Sequence, residues 1–154
     1  MKTNKDIRRL GRNYEQACPV AKALELLGER WTLLIVRDLI LGRSKFNELQ
    51  ESLPGITASV LSERLKNLEK EGVVDSRLYS EHPPRLSYHL TKKGRDLGKI
   101  VGALYDWGQK YTGVGNRLVG RKCGHSLEVD YFCPVCKSRA QPQNPLAAAG
   151  DCQD

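Results

Sequence analysis

Residues 57–90 read TASVLSERLKNLEKEGVVDSRLYSEHPPRLSYHL, and the period of their apolar residues changes partway along. Up to Gly72 the leucines fall at Leu61, Leu65 and Leu68, within a narrow arc at 100° per residue, which is one buried face of a helix. Thr57 suits the N-cap, where a hydroxyl accepts from an otherwise unpaired N–H, and Gly72 suits the stop. Beyond it the pattern alternates. Val74, Ser76 and Leu78 fall on one side and Asp75, Arg77 and Tyr79 on the other, then Leu86, Tyr88 and Leu90 face inward again. Pro83-Pro84 stiffens the link between, so two antiparallel strands are expected around EHPPR.

The opposite arc of the helix carries Ser59, Ser62, Glu63, Lys66 and Lys70. Small hydroxyls near the helix start can approach base edges in a major groove, where Ser and Glu can bond to bases. Lysines further along lie near phosphates and supply affinity without reading sequence. A charged outward face is also what any solvated helix carries, and a basic hairpin tip with His82 and Arg85 is also what a solvated turn carries. A basic helix followed at once by a basic hairpin is rarer than either, and such a tip has the size and charge to reach a narrow minor groove.

Upstream, three more helices are expected. CPVAKALELLG places Val20, Ala23, Leu24 and Leu27 on one stripe, with Pro19 at the first helical position and Gly28 ending it. ERWTLLIVRDLILG turns Trp31, Leu34, Ile35 and Leu39 inward and stops at Gly42. SKFNELQESLPG directs Phe46 and Leu49 to the core before Pro54-Gly55 turns the chain. Downstream, one long helix is expected from Thr91 through Leu97, Ile100, Val101, Leu104, Trp107 and Tyr111. The implied class is α+β and mainly helical: a winged helix-turn-helix over 18–113, with a dimerisation helix over 91–112. A basic arm (1–17), a knuckle-like extension (116–139) and a disordered tail (140–154) flank it.

The whole chain has 154 residues, with Lys+Arg 25 against Asp+Glu 18, a formal net charge of +7 and a pI near 9.3. Such an excess favours a polyanion, although many basic proteins never bind nucleic acid. No signal-peptide pattern opens the chain and no apolar run is long enough for a bilayer, so a cytoplasmic protein without a membrane partner is expected.

Five cysteines are present. Cys18 precedes Pro19 at a helix start, where unsatisfied N–H groups and the dipole favour a thiolate, and Arg12 and Lys22 add in the same direction. A redox-sensing thiol and a small buried hydrophobe are both open there. Cys123, His125, Cys133 and Cys136 form a Cys3His set suited to one structural zinc ion, although the single residue between Cys123 and His125 is tighter than usual. A redox CPVC pair and cysteines with no joint role are the other readings.

Enzyme chemistry finds little support. A zinc deaminase needs H-x-E before P-C-x-x-C, whereas Glu128 lies three residues after His125 and Phe132 precedes Cys133. No Gly-rich phosphate loop and no Ser/His/Asp grouping occurs. A zinc or thiol enzyme is the remote alternative.

Over residues 14 to 112 the sequence resembles the HxlR-type winged-helix regulators, relatives of the MarR group. The markers are Cys18-Pro19, Gly28 with Trp31-Thr32, Phe46-Asn47-Glu48-Leu49, Leu53-Pro54-Gly55-Ile56, Leu61 with Arg64-Leu65, Gly72, Pro83-Pro84, Tyr88 with Leu90-Thr91, Gly94 and Trp107-Gly108. The resemblance implies a homodimeric DNA-binding regulator, repressor or activator, with repression the expected sense. It also implies that the fourth helix lies in the major groove and the hairpin serves as a wing. Some relatives sense electrophiles or oxidants through a cysteine at the position of Cys18, and some carry a similar Cys-Gly-His plus Cys-x-x-Cys extension. Two-fold symmetry implies a pseudo-palindromic double-stranded operator. A non-covalent small-molecule effector, bound between the dimer helix and the core, is the alternative to a reactive thiol.

Overall fold

A computed structural model describes residues 14–116, 119 and 122–139. Most of the basic arm and the whole of the 140–154 tail, Cys152 included, lie outside the described residues. The order is α1 (Pro19–Leu27), α2 (Thr32–Ile40), α3 (Phe46–Ser52), α4 (Ala58–Lys70), β1 (Val74–Glu81), β2 (Pro84–Leu90), α5 (Lys92–Asp96) and α6 (Gly98–Thr112).

Helix α4 begins as its sequence dictates. Thr57 is extended and its hydroxyl accepts from the Val60 N–H. At the other end Gly72 takes a left-handed φ of 66°, and the Val73 N–H returns to the Leu68 carbonyl. Only glycine adopts that conformation without steric cost. Leu61, Leu65 and Leu68 are fully buried against Ile35, Val36 and Leu39 of α2, Leu49 of α3, and Leu53, Ile56, Val73 and Val74. Each buried leucine contributes about 1.5–3 kcal/mol.

A buried carboxylate ties α2 to α3. Asp38 is wholly enclosed, yet it accepts from Arg37 Nε at 2.8 Å, from Arg43 Nη1 at 3.2 Å and from the Ser52 hydroxyl. Three charge-assisted partners offset the cost of burying its charge. Gly42, at φ 95°, turns the chain so that Arg43 can reach back, and the Arg43 N–H also meets the Asp38 carbonyl.

The strands pair antiparallel in the register Val74↔Leu90, Ser76↔Tyr88 and Leu78↔Leu86, with a shift beyond Leu78 that sets Ser80 opposite Arg85. A third, one-residue strand joins them, which the sequence did not announce. Lys45 bridges to Ser87, and the Tyr88 N–H donates to the Ser44 carbonyl at 2.7 Å. The segment before α3 is thus fastened to the hairpin. Burial raises the Tyr88 phenol above its ordinary value, and Glu69 adds to the rise.

Four expectations need correction. On α1, Ala21 and Leu27 face the core, while Val20 (62% exposed), Ala23 and Leu24 face outward, so most of that apolar stripe is uncovered in the single chain. On α2, Val36 rather than Leu34 is inside. Leu78 and Leu86 pair across the strands but are exposed, because the hairpin projects past the edge of the core. The helix expected from Thr91 is broken at Leu97, which ends α5 and begins α6. Helix α5 is anchored separately: the Thr91 hydroxyl caps Gly94 and bonds to the Gly72 carbonyl, and Gly94 lies so close to Val73 that a Cβ would stand 2.1 Å from its carbonyl oxygen. Leu97 and Val101 then carry α6 against the core. None of the residues of α6 is fully buried, and Trp107 is 61% exposed.

Glu48 closes the start of α3. Its carboxylate accepts from the Ser44 and Lys45 N–H groups at 3.0 and 3.1 Å, and its other oxygen lies 3.6 Å from Lys45 Nζ. Those backbone bonds and the Lys45 charge hold the Glu48 carboxyl below its ordinary value of 4.5. A depressed folded-state value means stabilisation that is present above the unfolded pKa and lost as pH falls through the folded one. Glu48→Gln is therefore expected to lower the melting temperature at pH 7, with the gap from wild type closing as pH falls below 4.5. Thermal melts of both proteins between pH 3 and 7 check this, and a gap independent of pH contradicts it.

Candidate nucleic-acid interface

With the three leucines inward, α4 exposes Ser59, Glu63 and Lys66, while Ser62 is half-buried and the capping Thr57 is exposed at the helix start. These residues share one face, as the sequence predicts. Its rotation is held from the flank as well as from beneath. Arg64 forms an ion pair with Glu29, and its Nε donates to the Arg30 carbonyl at 3.3 Å. The neighbouring Trp31 has a left-handed φ of 80°, uncommon for a bulky residue, and Arg30 lies 4.8 Å from the centre of its ring. Lys70, which the sequence groups with Lys66, lines instead a recess of about 270 Å³ with Lys22, Glu29 and Arg64. It is set back from the serine end of the face.

The hairpin brings His82 and Arg85 to its exposed tip. Between the hairpin and the start of α3 runs a groove of about 550 Å³, lined by Lys45, Asn47, Tyr79, Arg85 and Tyr88 among others. Lys45 Nζ lies 5.7 Å from the centre of the Tyr79 ring. Lys45, Asn47 and Tyr79 were not singled out by sequence reasoning. A lysine directly before a helix start is a weak signal, and it acquires meaning only once the Lys45–Ser87 bridge sets it beside the wing.

Cys18 is half-buried at the N-cap of α1, with Pro19 following at the first helical position. Lys22, one turn into the same helix, has its Nζ 2.8 Å from the Glu25 carboxylate. Arg12 lies outside the described residues.

In the extension, Cys133 and Cys136 meet within one turn. Hydrogen bonds from Ser138, then the Cys133 side chain, lower the Cys136 thiol to about 7. Cys136 Sγ and Ser138 Oγ are 2.9 Å apart. Cys123 and His125 occupy a separate turn, and among the described residues no three His, Cys, Asp or Glu side chains gather around one point. Nor is any helix there long and apolar enough to cross a membrane.

Comparison with known proteins agrees with this geometry. The family model for the HxlR-like helix-turn-helix matches residues 26–116. The HTH-type transcriptional regulator Rv3095 of Mycobacterium tuberculosis, itself uncharacterised, is 38% identical over 135 residues, 85% of each chain. The crystal structure of PA1607, described as a candidate transcription factor, superposes with a TM-score of 0.75 at 32% identity, covering 89% of this chain and 97% of that one. The redox regulator HypR in its reduced form gives a TM-score of 0.59 at 34% identity, covering 63% and 96%. All three are described as regulators or transcription factors. The chain belongs to the HxlR-like helix-turn-helix family of transcriptional regulators.

Proposed function

We propose that the protein acts as a homodimer on a pseudo-palindromic operator, with α4 in the major groove and the β1–β2 wing in the flanking groove, and that it represses. One observation carries the reading. The buried row Leu61, Leu65 and Leu68 leaves Ser59, Ser62, Glu63 and Lys66 outward, beside a wing tipped by His82 and Arg85. Ser62 and Glu63 are assigned to bases, and Lys66, Arg85 and the adjacent Lys45 to phosphates. Dimerisation is supported by the uncovered apolar residues Ile100, Leu104, Trp107 and Tyr111 along α6, and Val20 and Leu24 on α1. A monomer rarely leaves so many large apolar residues wet along one helix.

Operator binding is expected to show in gel shifts with the duplex upstream of the protein's own coding region, with two chains per duplex. Lys66→Ala is expected to weaken binding to all sequences alike and to reduce the slope of log K against log salt by about one unit. Ser62→Ala is expected to relax sequence preference. Loss of neither affinity nor preference in the two variants contradicts the assignment.

For the switch, the reading is that the Cys18 thiolate attacks a peroxide, takes up one oxygen to become a sulfenic acid and releases hydroxide. The helix-start position and the likeness to a redox regulator support it. Cys18→Ser is expected to keep operator binding but to lose release by peroxide or quinone. Release of the variant by unreactive aromatic compounds instead, with peroxide inert on wild type, would favour a non-covalent effector. The groove beside Tyr79 and Tyr88 is one place for such a ligand.

A further inference from the structure

The described residues of the extension, 119 and 122–139, follow one turn pattern twice. Val119 bridges to Ser126 and Phe132 bridges to Arg139, both antiparallel and both seven residues apart. In each, the fifth residue after the first bridge partner has a left-handed backbone: Gly124 at φ 68° and Lys137 at φ 55°. In each, the residue just before it is a cysteine, Cys123 and Cys136. A lysine in that conformation is strained and persists only where its surroundings demand it. The turn is therefore set by something other than glycine's freedom.

The two copies differ in an informative way. The second adds Cys133 directly after its bridge, and the Cys133 N–H donates to the Ser138 carbonyl at 2.9 Å, which folds the turn back on itself. The matching position in the first copy is Gly120, and the position matching Ser138 is His125. One copy thus offers two thiols and the other a thiol and an imidazole. Two thiols in one tight turn converge on a single ion, and a Cys3His set completes a tetrahedron.

A second observation concerns size. The segment exposes Leu127, Phe132 and Val135, the last 89% exposed, and buries no apolar residue among those described. So short a piece cannot build a core of its own and needs a staple. Cys133 and Cys136 meet in one turn, and among the described residues no group of three potential metal ligands is gathered. The link at 127–131 has no regular structure that would prevent the first turn from closing over them.

We propose that the duplicated turn is a clamp for one soft divalent metal ion of the zinc type, gripped by Cys133 and Cys136 and closed by Cys123 and His125. Three thiols each give up a proton to solvent as their sulfurs bind, and His125 binds through a neutral ring nitrogen. The clamp lies beyond the residues matched by the winged-helix family and is independent of the DNA-binding reading.

Cobalt(II) is the probe, because its absorption reports both tetrahedral geometry and the number of thiolates. The full chain, reduced and stripped with a chelator, is titrated with cobalt and then with zinc. One cobalt per chain is expected, with three-thiolate charge transfer, displaced by zinc. Cys136→Ser is expected to abolish the signal. Cys123→Ser and His125→Ala are each expected to weaken binding by about tenfold or more, and only the former to reduce the charge-transfer band. Far-UV circular dichroism shows that the winged helix of each variant is intact. No metal uptake by the wild type overturns the proposal. So does equal uptake by the Cys123 and His125 variants, or a Cys133–Cys136 disulfide that forms in air while metal is present in excess.

Discussion

Burial of Leu61, Leu65 and Leu68 holds α4 at one rotation about its axis, and everything outward on that helix follows from it. A helix of this length has no stable orientation by itself, because most helix stability in proteins comes from packing an amphipathic face. Here three leucines meet α2, α3 and the start of β1 at once, so turning the helix would expose all three. Arg64 adds a lateral tie to the turn between α1 and α2. The hydroxyl-bearing end of the helix is then presented beside the wing as a geometric consequence.

The wing is positioned by the same core. Val73 and Val74 are buried immediately after Gly72, which starts β1 from the end of α4 with no slack. The Ser44–Lys45 segment pairs with β2 on its other side, and Asp38 holds the turn that delivers it. Helix α4, the hairpin and the segment before α3 are thus three parts of one packed unit. A rigid arrangement suits sequence reading, since a base contact is worth little if its donor wanders.

Local periodicity revealed the elements, and tertiary context decided which faces they bury. The spacing of Leu61, Leu65 and Leu68, the Thr57 cap and the Gly72 stop are local signals, and the structure agrees with each. The stripe of Val20, Ala23 and Leu24 was equally legible as amphipathic, but a period cannot say whether the covering surface lies in the same chain. The alternation through Leu78 and Leu86 likewise continues past the point where the core ends. The bridge from Lys45 to Ser87 involves one residue and leaves no pattern to read. The break at Leu97 has no local signal, and it follows closely on Gly94, whose approach to Val73 is a contact between residues far apart in sequence. For the site, the helix and wing-tip residues were legible from their arcs, whereas Lys45, Asn47 and Tyr79 gain a neighbour only through folding.

Membership of a helix-turn-helix regulator family and the geometry of α4 converge on a single physical claim: this helix and this hairpin are the surface that DNA covers. Amide hydrogen exchange of the full protein, with and without a saturating duplex at low salt, measures that surface directly. The account predicts slowed exchange over the first turns of α4 and at the hairpin tip around His82 and Arg85, with residues 123–136 unchanged. Protection confined to α6 or to the cysteine-bearing turns, with α4 exchanging as in the free protein, would contradict it.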